Sequence, residues 1–100
     1  MPCIYKHRDT ITAASGATSS ASLNIRGGLC RQIIVRANTD TTVFRANLVD
    51  ENSVTVLDYP YHEGEINDWD ITLPIAGEHT LNITNASVDD TFTILLQVQE

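Results

Sequence analysis

One hundred residues, 42% of them apolar and 19% charged, make one domain with material for a sandwich-sized core. A net charge of -7 argues against nucleic acid as a general partner, since phosphate neutralisation needs Lys and Arg. No apolar run approaches the ~20 residues of a membrane span, so no membrane partner is expected.

The chain opens on Met1-Pro2-Cys3-Ile4-Tyr5-Lys6-His7-Arg8, a mixed arm anchored by Ile4 and Tyr5 and set apart from a domain over 9–100. It holds no apolar h-region, and the expectation is a protein made and folded in a host cytoplasm. Asp9 to Ala13 reads as a short first strand, and the small polar run 14–21 as a loop. Ser22-Leu23-Asn24-Ile25-Arg26 alternates apolar with polar, and Gly27-Gly28 breaks it. Leu29 to Ala37 is a long strand whose centre, Ile33-Ile34-Val35, predicts a position covered on both sides.

In the stretch 42–49, Phe44, Ala46 and Leu48 point inward and Val43, Arg45 and Asn47 outward. The next strand, 54–59, places Val54 and Val56 on one face and Leu57 and Tyr59 on the other. Residues 60–67 read as the longest irregular stretch of the second half, and 68–73 as a strand with Trp69, Ile71 and Leu73 aligned. The clearest signal closes the chain. Leu81 and Ile83, then Phe92, Ile94, Leu96 and Val98, keep a period of two on either side of the turn residues 85–90. The sum is an all-β, single-domain antiparallel β-sandwich, jelly-roll or Ig-like, of about eight strands.

Charge is laid out unevenly. Lys6, Arg8, Arg26, Arg31, Arg36 and Arg45 share the first 45 positions with only Asp9 and Asp40, giving +4. The last 55 positions hold eleven acids and no Lys or Arg, giving -11. Strand order in a sandwich can mix the halves; a bipolar surface suited to docking is the alternative. Cys3 and Cys30 lack a CxxC spacing and are expected as free thiols, Cys30 as a small buried hydrophobe.

Few residues propose chemistry. His62, Glu63, Glu65, Asp68 and Asp70 lack the acidic spacing of a calcium loop and read as a solvated acidic loop, a weak calcium site being the alternative; no metal or cofactor is expected. No nucleophile has an identifiable base and no Gly-rich loop cradles a phosphate, which predicts a non-enzymatic protein. Trp69 is placed in the core by its register, whereas Tyr59 and Tyr61 suit an interface. Leu95 breaks the last strand's alternation and must face a second layer or another subunit.

The basic arm, the Ala/Ser/Thr/Gly-rich segment 14–21 and the close Gly77-Glu78-His79-Thr80-Leu81-Asn82-Ile83-Thr84 resemble small virion structural proteins of tailed bacteriophages. Among these the chain is most similar to capsid decoration (cement) proteins with a sandwich or jelly-roll fold. The resemblance implies a protein on the capsid exterior that binds the major capsid protein lattice, reinforces it without chemistry, and self-associates as a dimer or trimer. It supplies no motif residues. The contact residues expected from chemistry are Ile4, Tyr5, Lys6, Arg8, Tyr59, Tyr61 and Leu95. A neck or tail component and a carbohydrate-binding module stay open as alternatives.

Overall fold

The computed structural model describes residues 4–99, which form antiparallel strands and no helix. The strands are β1 (Ile4–Ala13), β2 (Thr18–Ala37), β3 (Val43–Asp50), β4 (Thr55–Glu63), β5 (Glu65–Asp68), β6 (Leu73–Thr84) and β7 (Asp90–Gln99). Their hydrogen-bonded order is β1-β7-β2-β6-β3-β4, with β5 also paired to β2.

This connected sheet folds over on itself, and β2 is where it does so. Drawn straight, its 20 residues would run ~65 Å. The longest dimension of the molecule is 42 Å, so β2 must turn. The turn falls at Gly27–Gly28, where the register against β6 slips between Ile25 and Gly28. A Cβ on Gly28 would stand 2.6 Å from the carbonyl oxygen of Gln99 in β7, so this close approach of backbones needs glycine. β2 pairs with β6 from Thr18 through the turn as far as Cys30; from Leu29 it also pairs with β7, and from Ile33 with β5. The result is two layers, β1-β7-β2-β5 (sheet I) and β2-β6-β3-β4 (sheet II), sharing one bent strand.

Side-chain contacts confirm the layering. Phe44 of β3 and Phe92 of β7 are three strands apart in the hydrogen-bonded order. A flat sheet would hold them ~14 Å apart. Their ring centroids are 4.7 Å apart, edge to face. Between the layers lie Ile33 and Val35 from β2, Leu48 from β3, Leu81 and Ile83 from β6, and Ile94, Leu96 and Val98 from β7, all buried. Each contributes roughly 1.5–3 kcal/mol by leaving water.

Two sets of contacts tie down the 37–42 turn. In one, Asp90 accepts hydrogen bonds from the Thr39 amide (3.1 Å), the Thr42 hydroxyl (2.7 Å) and the Thr91 amide (2.8 Å). Loss of water around the Asp90 carboxyl pushes its pKa up, but the bonds from Thr42, Thr91 and Thr39 outweigh this and hold it below the usual value. Beside the same turn the chain crosses from β4 in sheet II to β5 in sheet I through Gly64. That residue has φ +76°, and a Cβ there would meet the Asp40 carbonyl oxygen at 2.5 Å. Its amide donates to Thr42 and its carbonyl accepts from Ala37, each at 2.8 Å.

Several expectations need correcting. Ser22–Arg26 and Leu29–Ala37 are one strand, which also takes in 18–21, because the Gly-Gly pair makes a bulge rather than a break. Residues 60–67 are largely strand. Pro60 is tolerated inside β4 because β4 is an edge, paired only with β3. Trp69 is not core. Residues 69–72 carry no strand, so their alternation does not translate into facing, and Trp69 is 71% exposed. Register slips against β3 also undo the alternation of 54–59: Val54 is exposed, while Val56, Leu57 and Tyr59 all lean on the core. Ile34 is half-buried, so the centre of β2 is less covered than its sequence predicts. Finally, no boundary falls at Arg8, because β1 runs unbroken from Ile4 and pairs along its length with β7. Cys30 is buried as a free thiol; Cys3 lies outside the described residues.

Candidate functional site

In β1 the residues facing the core are the odd ones, Ile11 and Ala13 being buried, and the even ones face out. In β7 the pattern is reversed, with Phe92 through Val98 buried at even positions and Thr93 and Leu95 outside. The pairing register then decides which side chains meet on the outer face of sheet I. Arg8 stands opposite Leu95, Leu95 opposite Ile34, and Ile34 opposite Asn67. One row along, Thr10, Thr93, Arg36 and Glu65 line up across the four strands. On the other side, Lys6, Gln97 and Gln32 form a third row.

These rows enclose a shallow groove of about 220 Å³ lined by Arg8, Ile34, Arg36, Thr93 and Leu95. Ile34 and Leu95 give it an apolar floor. Arg36 is held in place by Glu65, its Nη2 2.8 Å and its Nε 3.2 Å from the same carboxylate oxygen. Gln32 donates to Asn67 at 2.9 Å and fixes the neighbouring row. Arg8 is exposed and has no ion pair among the described residues. Lys6, Arg8, Arg36 and Arg31, the last exposed in the bulge between Cys30 and Gln32, against Glu65 leave this face at +3 on a chain of -7. The remainder therefore carries -10. The unevenness visible in the sequence survives folding on this face.

Four of the seven expected contact residues thus share one surface: Ile4, Lys6 and Arg8 along β1, with Leu95 beside them on β7. The side chain of Tyr5 lies outside the described residues. Tyr59 and Tyr61 are elsewhere, on β4 at the edge of sheet II. The Tyr59 hydroxyl donates to Asp68 at 3.0 Å, clasping β4 to β5. Burial first, and then that bond and the charge of Asp68, push the phenol well above its usual pKa. Tyr61 is 55% exposed; its hydroxyl accepts from Asn85 at 3.1 Å and the Arg45 guanidinium lies 5.6 Å from its ring. Sequence reasoning missed Ile34, Arg36 and Thr93. Their outward alternation was readable, but their adjacency to Leu95 depends on a pairing register that the sequence does not print.

The acidic stretch does not converge. Glu65 faces Arg36, Asp68 accepts from Tyr59, and the His62 ring sits on the Pro60 carbonyl. Among the described residues no three His, Cys, Asp or Glu gather as metal ligands. Burial, and less strongly the charge of Asp68, raise the Cys30 thiol pKa against the lowering effect of its contact with the Gln32 carbonyl. No helix long and apolar enough to cross a membrane is present among the described residues.

No family model and no curated protein matches the chain. Among solved structures it is similar to a family two carbohydrate esterase from Cellvibrio japonicus, at 11% identity and a TM-score of 0.45, covering 99% of this chain and 34% of that one. It is also similar to PliG of Aeromonas hydrophila, a periplasmic inhibitor of g-type lysozyme, at 12% identity and a TM-score of 0.47, covering 97% and 86%. A third likeness is to the structure of infectious bursal disease virus, Gt strain, at 15% identity and a TM-score of 0.34, covering 98% and 32%. The chain spans about a third of the length of the esterase and virus chains. With scores this low, its function has to be read from its own residues.

Proposed function

We propose that this chain is a non-enzymatic virion structural protein that docks the outer face of sheet I on an assembled phage capsid and reinforces it. The observation that carries the reading is the gathering of Ile4, Lys6, Arg8 and Leu95, with Ile34 and Arg36, on one regular four-stranded face. An apolar centre ringed by cations is the make-up of a protein contact with an acidic partner. The resemblance of the chain to decoration proteins supports the choice of partner. Reinforcement would follow from linkage: a ligand that binds the assembled lattice and not its free subunits stabilises the lattice, and many weak copies add together.

Co-sedimentation with purified particles tests this. Arg8→Glu and Leu95→Asp should each lower the amount bound while the circular dichroism spectrum stays native. Binding equal to that of the unaltered protein would refute the assignment of this face. Truncation of residues 1–8 is a poor probe, because it removes half of a strand paired with β7.

A second reading has its own observation. Trp69 is 71% exposed beside the exposed Asp70, an arrangement that offers an aromatic side chain and an acid to a sugar. Saturable binding to a glycan array, abolished by Trp69→Ala, would favour a carbohydrate-binding module; a blank array would remove it.

A further inference from the structure

The groove on sheet I also restricts what can enter it. Its volume of about 220 Å³ lies below the ~300 Å³ at which small-molecule pockets begin, and is the size of one or two side chains. Its floor is Ile34 and Leu95 and its rim holds Arg8, Arg36 and the Thr93 hydroxyl. Arg8 and Arg36 are two strands and one row apart, so their backbones stand about 12 Å from one another across the floor. Arg36 is already oriented by Glu65, whereas Arg8 is exposed, and the in-plane N–H donors of its guanidinium suit a carboxylate.

We infer that the groove receives a carboxylate-bearing, extended segment of a partner protein, with an apolar side chain over Ile34 and Leu95 and an acid paired with Arg8. The inference deepens the docking reading above and rests on it for the partner's origin. Charge decides between a carboxylate and a phosphate polymer. A nucleic acid would need a basic track longer than this face of +3, and beyond the face it would meet a molecule carrying -10. A short acidic segment stays within the favourable patch. The floor adds a requirement that charge alone does not make: the segment must place an apolar side chain between its acids.

The test is an amide chemical-shift titration of the isotope-labelled full chain with a capped heptapeptide of glutamates around one central leucine. The probes for comparison are the same peptide with glutamines, the same peptide with a central glycine, and a single-stranded oligonucleotide. The leucine–glutamate peptide should move the amides of Arg8, Ile34, Thr93 and Leu95 saturably. Loss of its charged contacts in the glutamine peptide should weaken binding about tenfold or more. The glycine peptide should bind more weakly, and Arg8→Gln should abolish the preference for glutamate over glutamine. Shifts elsewhere on the molecule, equal binding of the glutamine peptide, or tighter binding of the oligonucleotide would overturn the inference. Peptide binding in the groove alongside failure to bind particles would keep the groove and sink the capsid reading. Particle binding that depends on Leu95 but is indifferent to Arg8→Gln would do the reverse.

Discussion

Leu95 and Leu96 are neighbours in one strand and face opposite sides of sheet I, so aspartate at each gives a direct test of the layering. Leu96 is fully buried in the core. Leu96→Asp removes roughly 1.5–3 kcal/mol of apolar burial and adds several kcal/mol for an unpaired buried carboxylate. That total rivals the 5–15 kcal/mol, roughly, by which a small domain is stable. Leu95 is half-buried on the outer face beside Arg8. Leu95→Asp forfeits about half the burial, near 1 kcal/mol, and loses about as much again in strand preference. The new charge opposite Arg8 returns about 0.2–1 kcal/mol. The net cost is ~1 kcal/mol, which lowers Tm by about 4–8 °C for a domain of this size. Thermal and urea unfolding followed by circular dichroism should therefore show a folded Leu95→Asp protein and an unfolded Leu96→Asp protein. If Leu95→Asp unfolds the chain, the outer face of sheet I is not a free surface. If Leu96→Asp folds normally, the two-layer core is wrong.

Phe92→Ala should cost about 3–5 kcal/mol by opening a cavity against Phe44, seen as a lower urea midpoint at unchanged slope. Gly64→Ala should destabilise by more than ~1 kcal/mol, since it places a side chain at φ +76° and against the Asp40 carbonyl; a neutral result would mean that the crossing from β4 to β5 relaxes freely. Asp90 has a folded pKa below its unfolded one, so its contribution is present above the unfolded value and is lost as pH falls through the folded one. The urea midpoint of the unaltered protein should fall over that acid range, and Asp90→Asn should flatten part of the fall. An unchanged slope in Asp90→Asn would mean that other carboxyls carry the acid dependence.

Where alternation was unbroken, the fold was legible. Phe44, Ala46 and Leu48, then Leu81 and Ile83, then Phe92 to Val98 are buried as their period of two requires. Trp69 shows why the rule fails outside a strand: with no ladder to fix the pleat, spacing from Ile71 says nothing about facing. Gly27–Gly28 shows a second limit. A glycine pair reads as a break, yet here its lack of side chains lets one strand serve two sheets. Pro60 shows a third, since its tolerance depends on β4 being an edge. The candidate surface was half legible. Lys6, Arg8 and Leu95 have the right chemistry in the sequence, but Ile34 and Arg36 join them only through the β2–β7 and β1–β7 registers. Those registers are long-range facts, set by the whole core at once.

The central claim is tested most directly by counting this chain in purified virions from its native source, together with amine labelling of Lys6 in the intact particle. A capsid-surface protein is expected in hundreds of copies per particle, with Lys6 shielded relative to the free protein. About a dozen copies or fewer would place it at the neck or tail instead. Absence from particles, or Lys6 equally reactive in both states, would contradict the account.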